Sequence, residues 1–198
     1  MGALASVVNA SAPSLYISLL SITFNSTAWN MVARNCTKKT ITRAFSSPYH
    51  GCYFLAILIF TFGLVRDHLY QCALLDQPHV PLLPEPLATL VPVLLFIVGQ
   101  VFVLTLTYAL EITGTFLGGY FGILTNDRVE GFPFNVLRDP MYVGSTLCFA
   151  ATALWCYKRP AGLLITLYVY IVYLIALRYE GPFTDMIYSS HSEVRKEE

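Results

Sequence analysis

Apolar residues gather in five stretches separated by polar or proline-rich breaks. They run from about Ser14 to Ala33, His50 to Val65, Leu87 to Leu110, Met141 to Tyr157 and Gly162 to Leu177. A helix needs about 20 apolar residues to cross the hydrocarbon layer of a bilayer. The third stretch has that length unaided. The second, fourth and fifth reach it once Tyr, Trp and Arg at their ends snorkel to the interface. The first is different, because its middle carries Thr23, Asn25, Ser26, Thr27 and Asn30 around Trp29. Such a polar belt suits a helix lying partly inserted in the interface. The stretch has neither the basic n-region nor the small-residue cleavage site of a removable signal peptide. The expected fold is an all-α polytopic membrane bundle of about four transmembrane helices plus one N-terminal partly inserted helix. It forms a single membrane-embedded domain over residues 1–198, with flexible tails at 1–13 and 189–198.

The breaks are equally legible. Arg34, Lys38, Lys39 and Arg43 make a basic loop after the first stretch, which the positive-inside rule places in the cytosol. Asp76 to Pro86 holds four prolines in eleven residues and cannot be helix. The YKRPAG link at 157–162 fits a tight helical hairpin punctuated by Pro160 and Gly162, and Pro182 is expected to stop the last helix.

Composition supports the membrane reading. Apolar residues make up 56% of the chain and charged residues 12%, against about 25% charged in a soluble domain. The formal net charge is zero, so no basic field points to nucleic acid. Cys36, Cys52, Cys72, Cys148 and Cys156 form no CxxC pair and read as thiols packed among apolar helices. The four histidines show no ligand spacing, and no metal is expected.

Chemistry is expected where the lipid-facing pattern fails. Residues 114–140 hold five glycines and two prolines among Phe116, Tyr120, Phe121, Phe132 and Phe134. A mere connector would be polar; this segment reads as packed at the membrane surface, where glycine lets backbone approach a ligand and aromatics sit at headgroup level. Arg178 and Glu180 end the fifth stretch, as snorkelling end residues or as site groups facing the bundle interior. Gly99, beside Gln100, is either a packing notch or room for a cofactor, and Glu111 is a further interfacial acid without evident partner. The N-x-[ST] sequons at Asn9, Asn25 and Asn35 and the myristoylation-like start at Gly2 are weak matches.

The ordered runs GTFLGGYFGIL (114–124), GFPFN (131–135), DPMYVGST (139–146) and LRYEGPFTDMIY (177–188) resemble the phospholipid N-methyltransferases. ITFNSTAWN (22–30) and TRAFSSPY (42–49) extend the resemblance to roughly residues 20–188. It implies a fold similar to isoprenylcysteine methyltransferase, with S-adenosylmethionine held at the cytosolic end and no metal. It further implies methylation of phosphatidylethanolamine, or of its mono- and dimethyl forms, toward phosphatidylcholine. The family's Gly-x-Gly cofactor motif falls on Ile97, Val98 and Gly99, and its glutamate pair on Glu180 and Gly181. Pro140 and Tyr142 lie by analogy near the cofactor, and Asp139, Tyr120, Phe134 and Asn135 near the lipid headgroup. A general base is not identified.

Several positions depart from the family pattern: Ile97 for the first Gly, Gly181 for the second Glu, Gly119 for Asp, and Asp139 for Asn. A bulky Ile97 is expected to narrow an adenosyl pocket, and Gly181 removes one partner for the cofactor's positive charge. Two other readings stay open: a membrane methyltransferase with a prenylcysteine-type acceptor, and a non-catalytic scaffold whose site has decayed. The implied location is the endoplasmic reticulum, with a mitochondrial membrane as the alternative and the cofactor site facing the cytosol. The implied partners are the bilayer and its phospholipids.

Overall fold

The structure is a computed structural model that describes residues 7–36, 47–121, 123, 129 and 131–197. For residues 33–36, 120, 156–157, 183–185 and 187–197 it describes the backbone alone. Five long helical elements follow one another: α1 (Pro13–Cys36), α2 (Pro48–Leu75), α3 (Leu87–Thr115), α4 (Pro140–Thr152) and α5 (Pro160–Glu197). A short 3-10 helix (Gly118–Phe121) follows α3, and a wide π turn (Ala153–Tyr157) prolongs α4. The described residues contain no strand, in keeping with the all-α expectation. Among the described residues three helices are long and apolar enough to cross a membrane: α2, α3 and the part of α5 from Pro160 to Pro182.

Helix starts follow simple chemistry. Pro48, Pro140 and Pro160 each occupy a first helical turn, where a missing N–H costs nothing. The helices run alternately up and down, so the start of α1, the end of α2 and the α4–α5 hairpin share one end. There Asn9 N–H donates to Gln77 Oε1 at 2.8 Å and Ser14 Oγ to Asp76 Oδ2 at 2.5 Å. Val80 N–H donates to Lys158 O at 3.2 Å, and Lys158 pairs with Glu85 at 3.6 Å. The proline-rich segment 76–86 is non-helical as expected. Lys158, with φ 46°, turns the chain in the left-handed region and closes the hairpin.

The core lies toward this end. Leu15 and Ile22 of α1, Tyr70 and Leu74 of α2, Phe149 of α4, and Ile165, Val169 and Tyr173 of α5 form one buried cluster. A second cluster at the opposite end joins Cys52, Leu55 and Phe121. Helix α3 instead leans on α4. Gly99 and Gly144 face each other so closely that a Cβ on either would stand 2.7 Å from the other's carbonyl oxygen, the close backbone approach that small residues permit between membrane helices.

Two expectations need correction. Helix α2 does not end near Val65 but runs to Leu75. The apolar pattern resumes at Leu69, Tyr70, Ala73 and Leu74, and the intervening Arg66 and Asp67 neutralise each other in an ion pair. Pro182 does not stop α5, whose backbone stays helical to Glu197; a proline forfeits one N–H bond, which a long helix survives. The polar belt of α1 is partly turned inward, with Thr27 still exposed. Ser18, Ile22 and Asn25 are buried, whereas Ile17, Leu20, Phe24 and Met31 are exposed. Asn25 Nδ2 donates to Phe62 O at 3.0 Å, and the Thr23 and Tyr168 hydroxyls lie 2.6 Å apart. Polar groups at helical spacing thus bind α1 along α2 and α5, and α1 is not among the helices apolar enough to cross a membrane. Lys38, Lys39, Arg43 and Gly2 lie outside the described residues.

Candidate active site

At the end away from the core, all five helices border a cavity of about 1050 Å³, α1 through Asn25, Ser26, Trp29 and Asn30. Small-molecule sites commonly span about 300–1,000 Å³, so it can take more than one ligand. Its wall carries the carboxylates of Asp67, Glu111, Asp139 and Glu180 and the guanidinium groups of Arg66 and Arg138. Charges of both signs on an otherwise apolar wall between membrane helices mark a functional site.

Three of these elements, α2, α4 and α5, are joined by a continuous line of contacts. The Tyr142 hydroxyl, on the first turn of α4, donates to Glu180 Oε2 of α5 at 2.6 Å. Its ring packs on that of Tyr173, with centroids 4.8 Å apart. Arg66 of α2 donates from Nη1 to the Tyr173 hydroxyl at 2.9 Å and from Nε and Nη2 to Asp67 Oδ1 at 3.0 and 2.8 Å. The same guanidinium lies 5.0 Å from the Phe149 ring centroid, a cation–π distance. Every charge in the line therefore has a partner, as a low-dielectric site requires. The second oxygen of Glu180 has none among the described residues.

Two local features shape the mouth. Asp139 precedes Pro140 at the start of α4; burial pushes its carboxyl above the usual carboxylate range, and the neighbouring Arg138 charge offsets part of that. Helix α3 breaks at Glu111, whose φ of 57° and ψ of −178° belong to a region favouring glycine. That conformation costs about 1–3 kcal/mol, and it turns the chain so that Gly114 to Leu117 also line the cavity.

The sequence-predicted residues separate cleanly. Glu180, Gly181, Pro140, Tyr142, Asp139 and Phe134 all line the one cavity. Gly99 does not; it is buried against Gly144 and Cys148, as a packing notch. Ile97 and Val98 also lie off the cavity, 52% and 43% exposed on the outside of α3, while Gln100 is the residue of this turn that reaches the wall. A bulky Ile97 therefore narrows no pocket here. Asn135 is exposed away from the cavity, and the Tyr120 side chain lies outside the described part. Room for a side chain exists at Gly181, where a Cβ would meet only Arg138 Nη2 at 3.8 Å. Sequence reasoning missed Arg66, Asp67, Tyr173 and Ser145. The signal was present: adjacent opposite charges inside an apolar helix are a site hypothesis by default.

Comparison with known proteins places this geometry. The phospholipid methyltransferase family matches residues 87–191. Over 98% of the chain, and 95% of its relative, the sequence is 49% identical to phosphatidyl-N-methylethanolamine N-methyltransferase of Emericella nidulans. It is 48% identical to the Saccharomyces cerevisiae protein of that name over 91% of this chain and 87% of that one. Identity to human phosphatidylethanolamine N-methyltransferase is 44%, over 89% of this chain and 88% of that one. No solved structure matches. A match over more than half the chain, and relatives this similar along nearly all of it, give one conclusion: the chain belongs to the phospholipid methyltransferase family.

Proposed function

We propose that the cavity binds S-adenosylmethionine beside Glu180 and methylates the amine of a phosphatidylethanolamine-type headgroup toward phosphatidylcholine. The carrying observation is the Glu180 carboxylate, fixed through Oε2 by Tyr142 at 2.6 Å on the wall of a cavity of about 1050 Å³. A carboxylate held through one oxygen, its other without a partner among the described residues, suits a cationic donor, and the volume accommodates donor and headgroup together. S-adenosylmethionine supplies the electrophilic methyl group. The chain's own contribution is positional. Glu180 holds positive charge, Tyr142 holds Glu180, and Asp139 with Phe134 offers an acidic and an aromatic face to the headgroup. A direct displacement needs a neutral amine and an aligned approach, and alignment alone supplies a large part of such a rate. Apolar walls favour the neutral amine, because burial disfavours the charged form.

Higher identity to the fungal relatives, 48–49% against 44% for the human one, supports partly methylated lipids as preferred acceptors. Arg34, Lys38, Lys39 and Arg43 fall between α1 and α2 in the sequence, which supports a cytosol-facing site; we take the chain as a single membrane domain, with the endoplasmic reticulum as its membrane. The test is expression in cells unable to methylate phosphatidylethanolamine, with labelled methyl donor and resolved lipids. Labelled dimethyl lipid and phosphatidylcholine are expected when monomethyl lipid is supplied. No labelled phospholipid of any methylation state overturns the proposal.

A further inference from the structure

The cavity has a side opening. Helices α2 and α3 are sequence neighbours, yet they touch far less than α3 and α4 do; near the cavity mouth Cys52 Sγ lies 3.7 Å from Phe116 O, just past the end of α3. Along the rest of their length each helix turns a stripe to the gap left between them. Phe60, Gly63, Leu64 and Asp67 line it from α2, at the spacing of one helix face. Gln100, Val103, Leu104 and Thr107 line it from α3 in the same way. Phe60, Leu64 and Leu104 are also 60%, 55% and 63% exposed, so no neighbouring helix covers them along this gap. At Gly63 an added Cβ meets nothing within 4 Å. Both helices are among those apolar enough to cross a membrane, so the outside at this level is lipid.

We propose that this gap is the port through which a phospholipid passes sideways from the bilayer, its headgroup inside and its acyl chains remaining between Phe60, Leu64 and Leu104. The occupant follows from charge and polarity. Beside the paired Arg66 and Asp67, the inner wall carries a cation, Arg138, and an anion, Asp139, which matches a zwitterionic phosphate–amine headgroup. The rim is apolar, which matches acyl chains. A soluble ligand would need only the mouth, and a second protein helix would find no anchor for so many charges. The port rests on the lipid substrate proposed above, but its test does not depend on turnover.

The full chain is placed in phosphatidylglycerol vesicles with a trace of phosphatidyl-N-methylethanolamine bearing a photoactivatable group on one acyl chain. After irradiation, adducts on residues 57–67 and 101–108 are expected to fall when excess unlabelled phosphatidyl-N-methylethanolamine is added. Adducts on exposed Leu20 and Phe24 of α1, which report surrounding lipid, are expected to stay. Gly63→Trp, which fills the gap with an indole burying about 200 Å², is expected to lower the competed adducts about tenfold. Leu104→Trp, from the opposite rim, should do the same if Gly63→Trp does not fold. Leu94→Trp, on α3 but 60% exposed away from the cavity, should leave them unchanged. Uniform adducts that excess lipid does not reduce, or competed adducts unaltered in both rim variants, overturn the port. Competed labelling without methyl transfer overturns the proposed activity and leaves the port standing.

Discussion

Replacing Gly99 or Gly144 with alanine tests how the site is built. A Cβ at Gly99 would stand 2.7 Å from Gly144 O, 2.8 Å from Cys148 Sγ and 3.2 Å from Leu147 Cβ. Ordinary contact begins at 3.4 Å, so α3 and α4 must separate by about 0.7 Å. Neither the carbonyl nor the Cβ can swing aside as a long side chain would. Overpacking of this kind costs about 1–3 kcal/mol, and a domain of this size loses about 2–4 °C of melting temperature per kcal/mol. The displacement also reaches the site, because Tyr142 lies two residues before Gly144 and its bond to Glu180 is 2.6 Å long. Each alanine variant should therefore melt several degrees lower in detergent and bind S-adenosylmethionine more weakly, although neither glycine lines the cavity. Both methyl groups would occupy the same gap, so the double variant should lose less than the two single losses combined. Thermal unfolding followed by circular dichroism, with calorimetric donor binding on the same samples, measures both effects. Single variants with unchanged melting and unchanged affinity would refute the notch.

Restoring the family's first glycine with Ile97→Gly should not tighten donor binding, since Ile97 is 52% exposed on the outside of α3; it should only cost about 1 kcal/mol of helix stability, and improved affinity in the same calorimetry would place Ile97 at the cofactor after all. Glu180→Gln removes the charge proposed to face the donor and should weaken its binding by about a hundredfold or more, whereas Tyr142→Phe keeps the ring on Tyr173 and removes one charge-assisted hydrogen bond, for a smaller loss of about tenfold. Equal affinities across wild type and both variants would contradict the assignment. Asp139→Asn should stabilise the fold at neutral pH. The folded-state pKa of Asp139 is raised by burial, so the native state binds its proton more readily, and wild-type stability falls as pH rises from the ordinary carboxylate value through the raised one. The variant's advantage should thus be present above that window and vanish below it in melts taken across pH; a constant difference would show that charge is not the cause.

The sequence by itself determined the solvent and the class of chemistry. Apolar runs near bilayer length, few charges and the proline breaks at 76–86 and 157–162 fix an all-α membrane bundle, because backbone in lipid must satisfy its own hydrogen bonds. The ordered motifs ending at Glu180 were legible as well, since they are contiguous in the chain. What the sequence could not decide is which way a residue points. One residue of helix rotates a side chain by about 100°, so Ile97, Val98, Gly99 and Gln100 are neighbours in sequence yet face lipid, the α4 backbone and the cavity respectively. Nor does the sequence show that Asn25, in the polar belt of α1, turns toward Phe62 O. Arg66 and Asp67 looked like the end of a helix, because their meaning depends on Tyr173, more than a hundred positions away. Only the tertiary structure brings such partners together, and with them the line from Asp67 to Glu180 and the open gap between α2 and α3.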